Sequence, residues 1–314
     1  MEFFKAKTTI DFLGLRKWTW AFSALLIIIS CVSMGVRGMN WGLDFTGGYS
    51  IQVHFQSTPK ISEVRQALEQ VGFEREDIVT FGSTKDLMLS FSPKDLKASG
   101  TSVDSPQLQQ VITDKMTMAL PTATVTSVNY TGSEVGSEMA QTGVLAMLVA
   151  IIAIMLYITL RFEIKFAVSA ALALAHDPII ILGIFSLFQI RFDLTALAAV
   201  LAVIGYSLND TIVVYDRIRE NFRVMRALSV AEVVNQAIND TLSRTIITSG
   251  LTFIVVFVLF LLGGPSIHGF ALALMIGVVV GTYSSIYIAG AIAVLLGLNR
   301  EAFIPKSKEV DELP

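Results

Sequence analysis

Six apolar runs of membrane-spanning length constrain this chain more than any other feature. They read as Trp18–Val36, Gln141–Leu160, Phe166–Phe188, Leu194–Val214, Thr245–Leu262 and Phe270–Leu296. Roughly 20 apolar residues suffice to carry a helix across a bilayer core. Inside lipid every backbone polar group needs an internal partner, so an apolar run of this kind has to be helical. Only 16% of the 314 residues are charged, where a soluble domain carries about a quarter. The expected class is therefore a polytopic α-helical membrane protein.

The first run follows Arg16 and Lys17, as a secretory signal would, but it is longer than a signal core and no small-x-small cleavage site follows. The stretch Ile29-Ser30-Cys31 makes no convincing lipoprotein site, so an uncleaved anchor is expected. Cys31 is the only cysteine, which excludes a disulfide framework.

Charge sets the expected orientation. Lys5, Lys7, Arg16 and Lys17 precede span one, and Arg161 and Lys165 fill the turn after span two. Arg217, Arg219, Arg223, Arg226 and Arg244 lie between spans four and five, and Arg300, Lys306 and Lys308 follow span six. The positive-inside rule puts all of these, and both termini, in the cytoplasm. The expected division is residues 1–17 cytoplasmic, 18–36 span one, 37–138 an outer domain, 139–298 spans two to six with a cytoplasmic loop at 215–244, and 299–314 a cytoplasmic tail.

The outer segment holds eight Lys/Arg and twelve Asp/Glu. In Tyr49–Phe55, apolar Tyr49, Ile51, Val53 and Phe55 alternate with Ser50, Gln52 and His54, the period of a half-buried strand. A helix is expected over Ser62–Gly72, with Ile61, Val64, Leu68 and Val71 on one face. Strands at Ile78–Phe81 and Leu87–Phe91, a helix presenting Leu108, Val111, Ile112 and Met116, and a strand at Ala123–Tyr130 complete a β-α-β-β-α-β order, that of a ferredoxin-like sandwich. The stretch Ser92–Ser105 reads as a connection and His54 as a solvated histidine. No phosphate loop, metal cluster or nucleophile–base pair stands in this segment.

Before the first strand, Trp41-Gly42-Leu43-Asp44-Phe45-Thr46-Gly47-Gly48 reads either as a tight, close-packed turn or as a hinge between domain and membrane. Gly47 and Gly48, with Gly136 at the entry to span two, are the candidate hinge residues.

Within the spans, Asp210 is costly in hydrocarbon and requires a partner, a water-filled cavity or a proton. Ala198, Ala202, Tyr206 and Asp210 recur at steps of four in span four, and Arg244, Thr248 and Thr252 in span five. Asp210 and Arg244 are expected to pair directly or through water, either as a working proton site or as a static ion pair that fixes packing. His176-Asp177-Pro178 in span three extends a proton path or forms a polar kink, with Pro178 loosening the preceding turn. Ala273, Gly277, Gly281, Ser285, Ala289, Ala293 and Gly297 form a small-residue stripe in span six, with a GxxxG at Gly277–Gly281, which calls for a closely packed partner helix. Ser229-Val230-Ala231-Glu232 has the form of a capping box. The helix after it either lies along the membrane surface or packs beneath the bundle. No nucleotide-binding loop is present, so ATP is not expected to be spent by this chain.

In order along the chain, WGLDFTGG, GSEVGSEM, HDPIIILG, VIGYSLNDTIVVYDRIRENF, RTIITSG and GTYSSIYIAG resemble the motifs of the SecF branch of the SecD/SecF protein-export family. The resemblance covers essentially the whole length, and the span-four motif is the most specific. It implies half of an RND-type bundle that works with SecD, near the SecYEG translocon and YajC, on an unfolded preprotein. No nucleic acid, metal or cofactor is implied, and the energy source is the proton gradient. It also implies that Asp210 is the proton-relay aspartate and Arg244 the arginine on the adjacent helix, with Asn209 in the same motif. Ser133 replaces the family's usual proline and Pro178 a commoner aliphatic residue. Other classes that fit a helical bundle with a buried carboxylate are an RND-type small-molecule exporter half and a non-transporting scaffold for a partner subunit. No hydrolytic or redox constellation is seen.

Overall fold

Helix α1 (Arg16–Val36) enters the bundle, and a short helix α2 (Leu43–Thr46) turns the chain into a small α+β domain. The structure is a computed structural model and describes residues 8–71, 77–81, 83–91 and 106–299. The domain comprises β1 (Gly48–Phe55), α3 (Ile61–Gln70), β2 (Asp77–Phe81), β3 (Ser83–Phe91), α4 (Pro106–Ala119) and β4 (Ala123–Thr131). Helices α5 (Ser133–Arg161), α6 (Ile164–Leu187), α7 (Leu194–Val224), α8 (Val230–Leu262) and α9 (His268–Ser284) follow. The last continues through a π-turn, Ser285–Ala289, into α10 (Gly290–Leu295). Among the described residues six helical spans are long and apolar enough to cross a membrane.

The sheet runs β2-β3-β1-β4 with antiparallel neighbours throughout. That is the strand order of a split βαβ sandwich, as the sequence pattern predicts. The period-two pattern in β1 is realised in burial: Tyr49, Ile51, Val53 and Phe55 are buried, and His54 is exposed. They pack on Val64 and Leu68 of α3 and Ile112 and Met116 of α4. Ile61 departs from the expected helix face. It is the first helical residue, ahead of the first turn that reaches the sheet, and it stays exposed. The expected connection Ser92–Ser105 lies outside the described residues.

One boundary differs from expectation, and one pair of alternatives is decided. Residues 215–244 are not a loop: α7 continues to Val224, α8 begins at Val230, and only a five-residue turn separates them. Of the two readings of the segment after Ser229, packing beneath the bundle is the one formed. Its capping box forms, with Ser229 N–H donating to Glu232 and Glu232 N–H to Ser229 Oγ, and the helix then runs unbroken into span five. Val233, Val234, Ala237, Ile238 and Leu242 are buried beneath the bundle, against Phe12 and Leu13 among others. Packing of an apolar stripe against the other helices outcompetes a membrane surface for the same side chains.

The chain enters and leaves the domain side by side. Gly48 pairs with Thr131, so the strand entering from α1 and the strand leaving into α5 are neighbours there. Gly47 (φ +70°) and Gly48 (φ +134°) adopt backbone that only glycine takes readily. A Cβ on Gly136 would sit 2.7 Å from the Phe45 carbonyl oxygen and 2.9 Å from the Gly47 nitrogen. The three glycines thus form a single close-packed joint. Phe45 and Phe192 stack beside it, and Trp41 packs edge-on against both. Asp44 accepts the Leu194 N–H (3.0 Å), docking the joint onto the turn between α6 and α7.

Candidate functional site

Helix α7 brings its polar residues to two different places. Asp210, 3% exposed, accepts a hydrogen bond from Ser249 of α8 (Oγ to Oδ2, 3.3 Å). Ser249 is itself contacted by Thr282 of α9 (2.8 Å) and Tyr206 of α7 (3.3 Å). Thr282 also reaches its own helix at the Val278 carbonyl (2.6 Å).

The expected direct pairing of Asp210 with Arg244 is not formed among the described residues. Arg244 is exposed, and its field reaches Asp210 across more than ion-pair distance. It lines a groove of about 620 Å³ at the bundle end away from the domain, with Arg161, Asp216, Arg217, Glu220 and Asp240. Arg217 bridges Asp240 (2.8 Å) and Glu220 (2.7 Å) there. The reason is geometric: Asp210 faces the bundle interior, and Arg244 follows the rim of α8. The stripe above Arg244 is satisfied locally, since Thr248 bonds the Arg244 carbonyl and Thr252 the Thr248 carbonyl. Asn209, one residue from Asp210, is exposed and faces away from the hydroxyls around it.

The second polar centre surrounds Asp177, which is fully buried. His176 Nδ1 lies 2.9 Å from Asp177 Oδ1. Ser207 of α7 (2.7 Å) and Ser284 of α9 (3.0 Å) donate to Oδ2. His176 Nε2 lies 3.2 Å from Ser23 of α1. Pro178 does not break α6, which is continuous from Ile164 to Leu187.

The stripe on α9 packs within this chain. A Cβ on Gly277 would strike Val203 of α7, and one on Gly281 would meet Ser207 at 3.0 Å. Ser285 bonds Thr211 (3.0 Å) and the Ser207 carbonyl (3.2 Å). Gly297 lies beyond the helix end, with φ +74°. By contrast Ala198, Ala202 and Gly205 on α7, and Gly250 on α8, are exposed, and a Cβ on Gly205 or Gly250 would meet nothing.

Sequence reasoning did not single out Ser23, Ser207, Ser249, Thr282, Tyr283 or Ser284. The run Gly281-Thr282-Tyr283-Ser284-Ser285 is visibly hydroxyl-rich in an apolar span, but which carboxylate each hydroxyl serves depends on helix packing.

The family described as protein export membrane protein SecD/SecF, C-terminal, matches residues 111–299, and the SecD/SecF GG motif matches residues 32–59. The chain belongs to the SecD/SecF protein-export family. It is 44% identical to the protein translocase subunit SecF of Escherichia coli O157:H7, covering 95% of this chain and 91% of that one. It is also 44% identical to the subunit of the same name from Vibrio alginolyticus, covering 100% and 99%. The crystal structure of SecDF from Thermus thermophilus, a translocon-associated membrane protein, aligns with a TM-score of 0.79 at 33% identity over 93% of this chain. SecDF in its super-membrane-facing form aligns at 0.69 and 32% identity over 95%. The chain spans about two fifths of those SecDF chains, 39% and 40%. The Gly47–Gly48 joint falls inside the GG-motif match, and both polar centres fall inside the C-terminal match.

Proposed function

We propose that this chain works with SecD as the SecF subunit of the Sec protein translocase, in the bacterial inner membrane with both termini cytoplasmic. There the complex uses the proton motive force to complete export of unfolded preproteins. SecYEG is the channel it serves, and YajC a further neighbour. In this reading the chain is half of an RND-type bundle. The exposed small-residue faces at Ala198, Ala202, Gly205 and Gly250 await the other half, since small residues allow close helix approach in lipid. Asn209 and Arg244 border that open face.

One observation carries the proton role of Asp210. Its hydroxyl chain accommodates either charge state by rotation alone. With Asp210 ionised, Thr282 donates to Ser249 and Ser249 to the carboxylate. With Asp210 protonated, the carboxylic acid donates to Ser249, Ser249 to Thr282, and Thr282 to the Val278 carbonyl 2.6 Å away. Each hydroxyl has one proton and two acceptor sites, so both arrangements are fully bonded. Protonation would cancel the attraction of Arg244 for Asp210 and shift the balance between helix arrangements. Movement then passes to the domain through α1, α5 and the glycine joint.

The test is preprotein export by Asp210→Asn complexes, with and without a proton gradient, after assembly with SecD is verified. Asparagine keeps the shape and bonds to Ser249 but cannot exchange a proton. The expected result is loss of gradient-stimulated export with the complex intact. Full stimulation would make Asp210 a packing residue and favour a scaffold role for the chain.

A further inference from the structure

Proton counting at the second polar centre gives a result that its position alone does not. Tyr283 OH lies 2.7 Å from the Thr19 carbonyl oxygen, which can only accept, so Tyr283 donates there. Its oxygen therefore accepts from Ser23 (3.2 Å). The one proton of Ser23 is used, so Ser23 must accept from His176 Nε2, which bears hydrogen. On the other side, Ser207 spends its proton on Asp177 Oδ2 at 2.7 Å, and the one proton of Ser284 is shared between the same oxygen (3.0 Å) and the Gly281 carbonyl (3.1 Å). What remains is the 2.9 Å edge between His176 Nδ1 and Asp177 Oδ1, which holds a single proton.

We infer that His176 and Asp177 share one trapped proton, as a neutral pair that positions α1 and α9 against α6 and α7. Both side chains are buried, His176 at 5% and Asp177 at 0% exposure. Removing the shared proton would strand a net negative charge, and adding another a positive one, each of which is costly away from water. The groups facing the pair are Ser207 from α7, Ser284 and Tyr283 from α9, and Ser23 from α1. Among the described residues Tyr283 is the other titratable group beside the pair, its ring nearly parallel to that of His176 with centroids 6.4 Å apart. Both chains end on a carbonyl, but Thr282 has two acceptors at nearly equal range, Ser249 at 2.8 Å and the Val278 carbonyl at 2.6 Å, whereas Tyr283 has the Thr19 carbonyl at 2.7 Å against Ser23 at 3.2 Å, so this chain is directed where the Asp210 chain is reversible.

The two centres meet on α9. Thr282 touches the Asp210 chain and Ser284 touches Asp177, two residues apart. Just beyond, Ser285 opens the π-turn, a feature frequent at functional sites. A shift of α9 that follows Asp210 would thus pull on Asp177 and, through His176 and Ser23, on α1, which leads to the domain. This coupling role rests on the proposed function; the proton assignment does not.

The test has two arms on the full chain assembled with SecD in lipid. In [15N]histidine spectra, the His176 resonances are assigned by their loss in His176→Gln. Nε2 should carry hydrogen, the tautomer being set by the bond the other ring nitrogen makes. A bare Nε2 overturns the assignment. In export assays, Asp177→Asn should lose gradient stimulation while gradient-independent export persists, and Ser284→Ala, which removes only the α9 link, should lower stimulation in the same direction. Full stimulation in Ser284→Ala, with the spectra as expected, overturns the coupling role. Full stimulation in Asp210→Asn as well would place the failure in the proposed function instead.

Discussion

Alanine at Gly281 should destabilise the bundle, and alanine at Gly205 should not. A methyl at Gly281 would lie 3.0 Å from Ser207 Cβ, 3.1 Å from its Oγ and 3.5 Å from Asp177 Oδ2. These neighbours sit on two other helices and cannot swing clear without moving backbone. Overpacking of this kind costs about 1–3 kcal/mol. Displacing the Ser207 hydroxyl from a carboxylate adds about 1.5–3 kcal/mol. The helix preference of alanine over glycine returns about 1 kcal/mol. The net loss is about 1.5–5 kcal/mol. At Gly205 and Gly250 a methyl meets nothing, so only the helix preference acts and the isolated chain gains about 0.5–1 kcal/mol. The assay is reversible unfolding of the purified chain in mixed micelles, followed by helical circular dichroism, with co-purification with SecD as the second readout. Gly205→Ala should weaken that assembly even as it stabilises the chain. A Gly281→Ala chain as stable as its parent would refute the packing argument, and a Gly205→Ala chain that assembles normally would refute the partner face.

Two further outcomes follow from other contacts. Asn235 and Asn239, one turn apart on α8, clamp the segment before α1: Asn239 bonds both the N–H and C=O of Ile10 (2.9 and 2.8 Å), and Asn235 accepts the Phe12 N–H (2.8 Å). Replacing both with alanine should raise hydrogen exchange at Ile10 and Phe12 while leaving that of α8 unchanged, each lost bond being worth about 1 kcal/mol; unaltered exchange would mean Phe12 and Leu13 hold the segment alone. In the sheet domain, the hydroxyl of Ser83 and then the His54 ring hold the Asp86 carboxyl below its ordinary range. A depressed folded-state value contributes stability above the unfolded value of about 3.9, lost as pH falls through the folded one. Ser83→Ala should therefore raise the Asp86 titration midpoint toward its ordinary value in carboxyl-detected NMR, and an unmoved midpoint would assign the shift elsewhere.

Much of the architecture was legible in the chain because its causes are local. Apolar length marks all six spans, and alternation marks β1 down to which side chains are buried. The capping box at Ser229 forms as read. What was misplaced lies where a helix leaves the lipid: polarity suggested a loop over 215–244, yet a helix that finds apolar neighbours beneath the bundle has no reason to stop. The paired glycines were visible, but their meeting with Gly136 depends on Gly48 and Thr131 being neighbours in the sheet.

The sequence by itself determined that this is a helical membrane protein with a ferredoxin-like insertion and carboxylates in its spans, because burying an apolar run or a charge has consequences that do not depend on neighbours. Only the tertiary structure decided what each carboxylate touches. Asp210 turned out to accept from Ser249 with no direct ion pair to Arg244, and Asp177 from Ser207 and Ser284 beside His176. Hydrogen bonds act over about 3 Å, and which side chains come that close is set by the crossing of helices far apart in the chain.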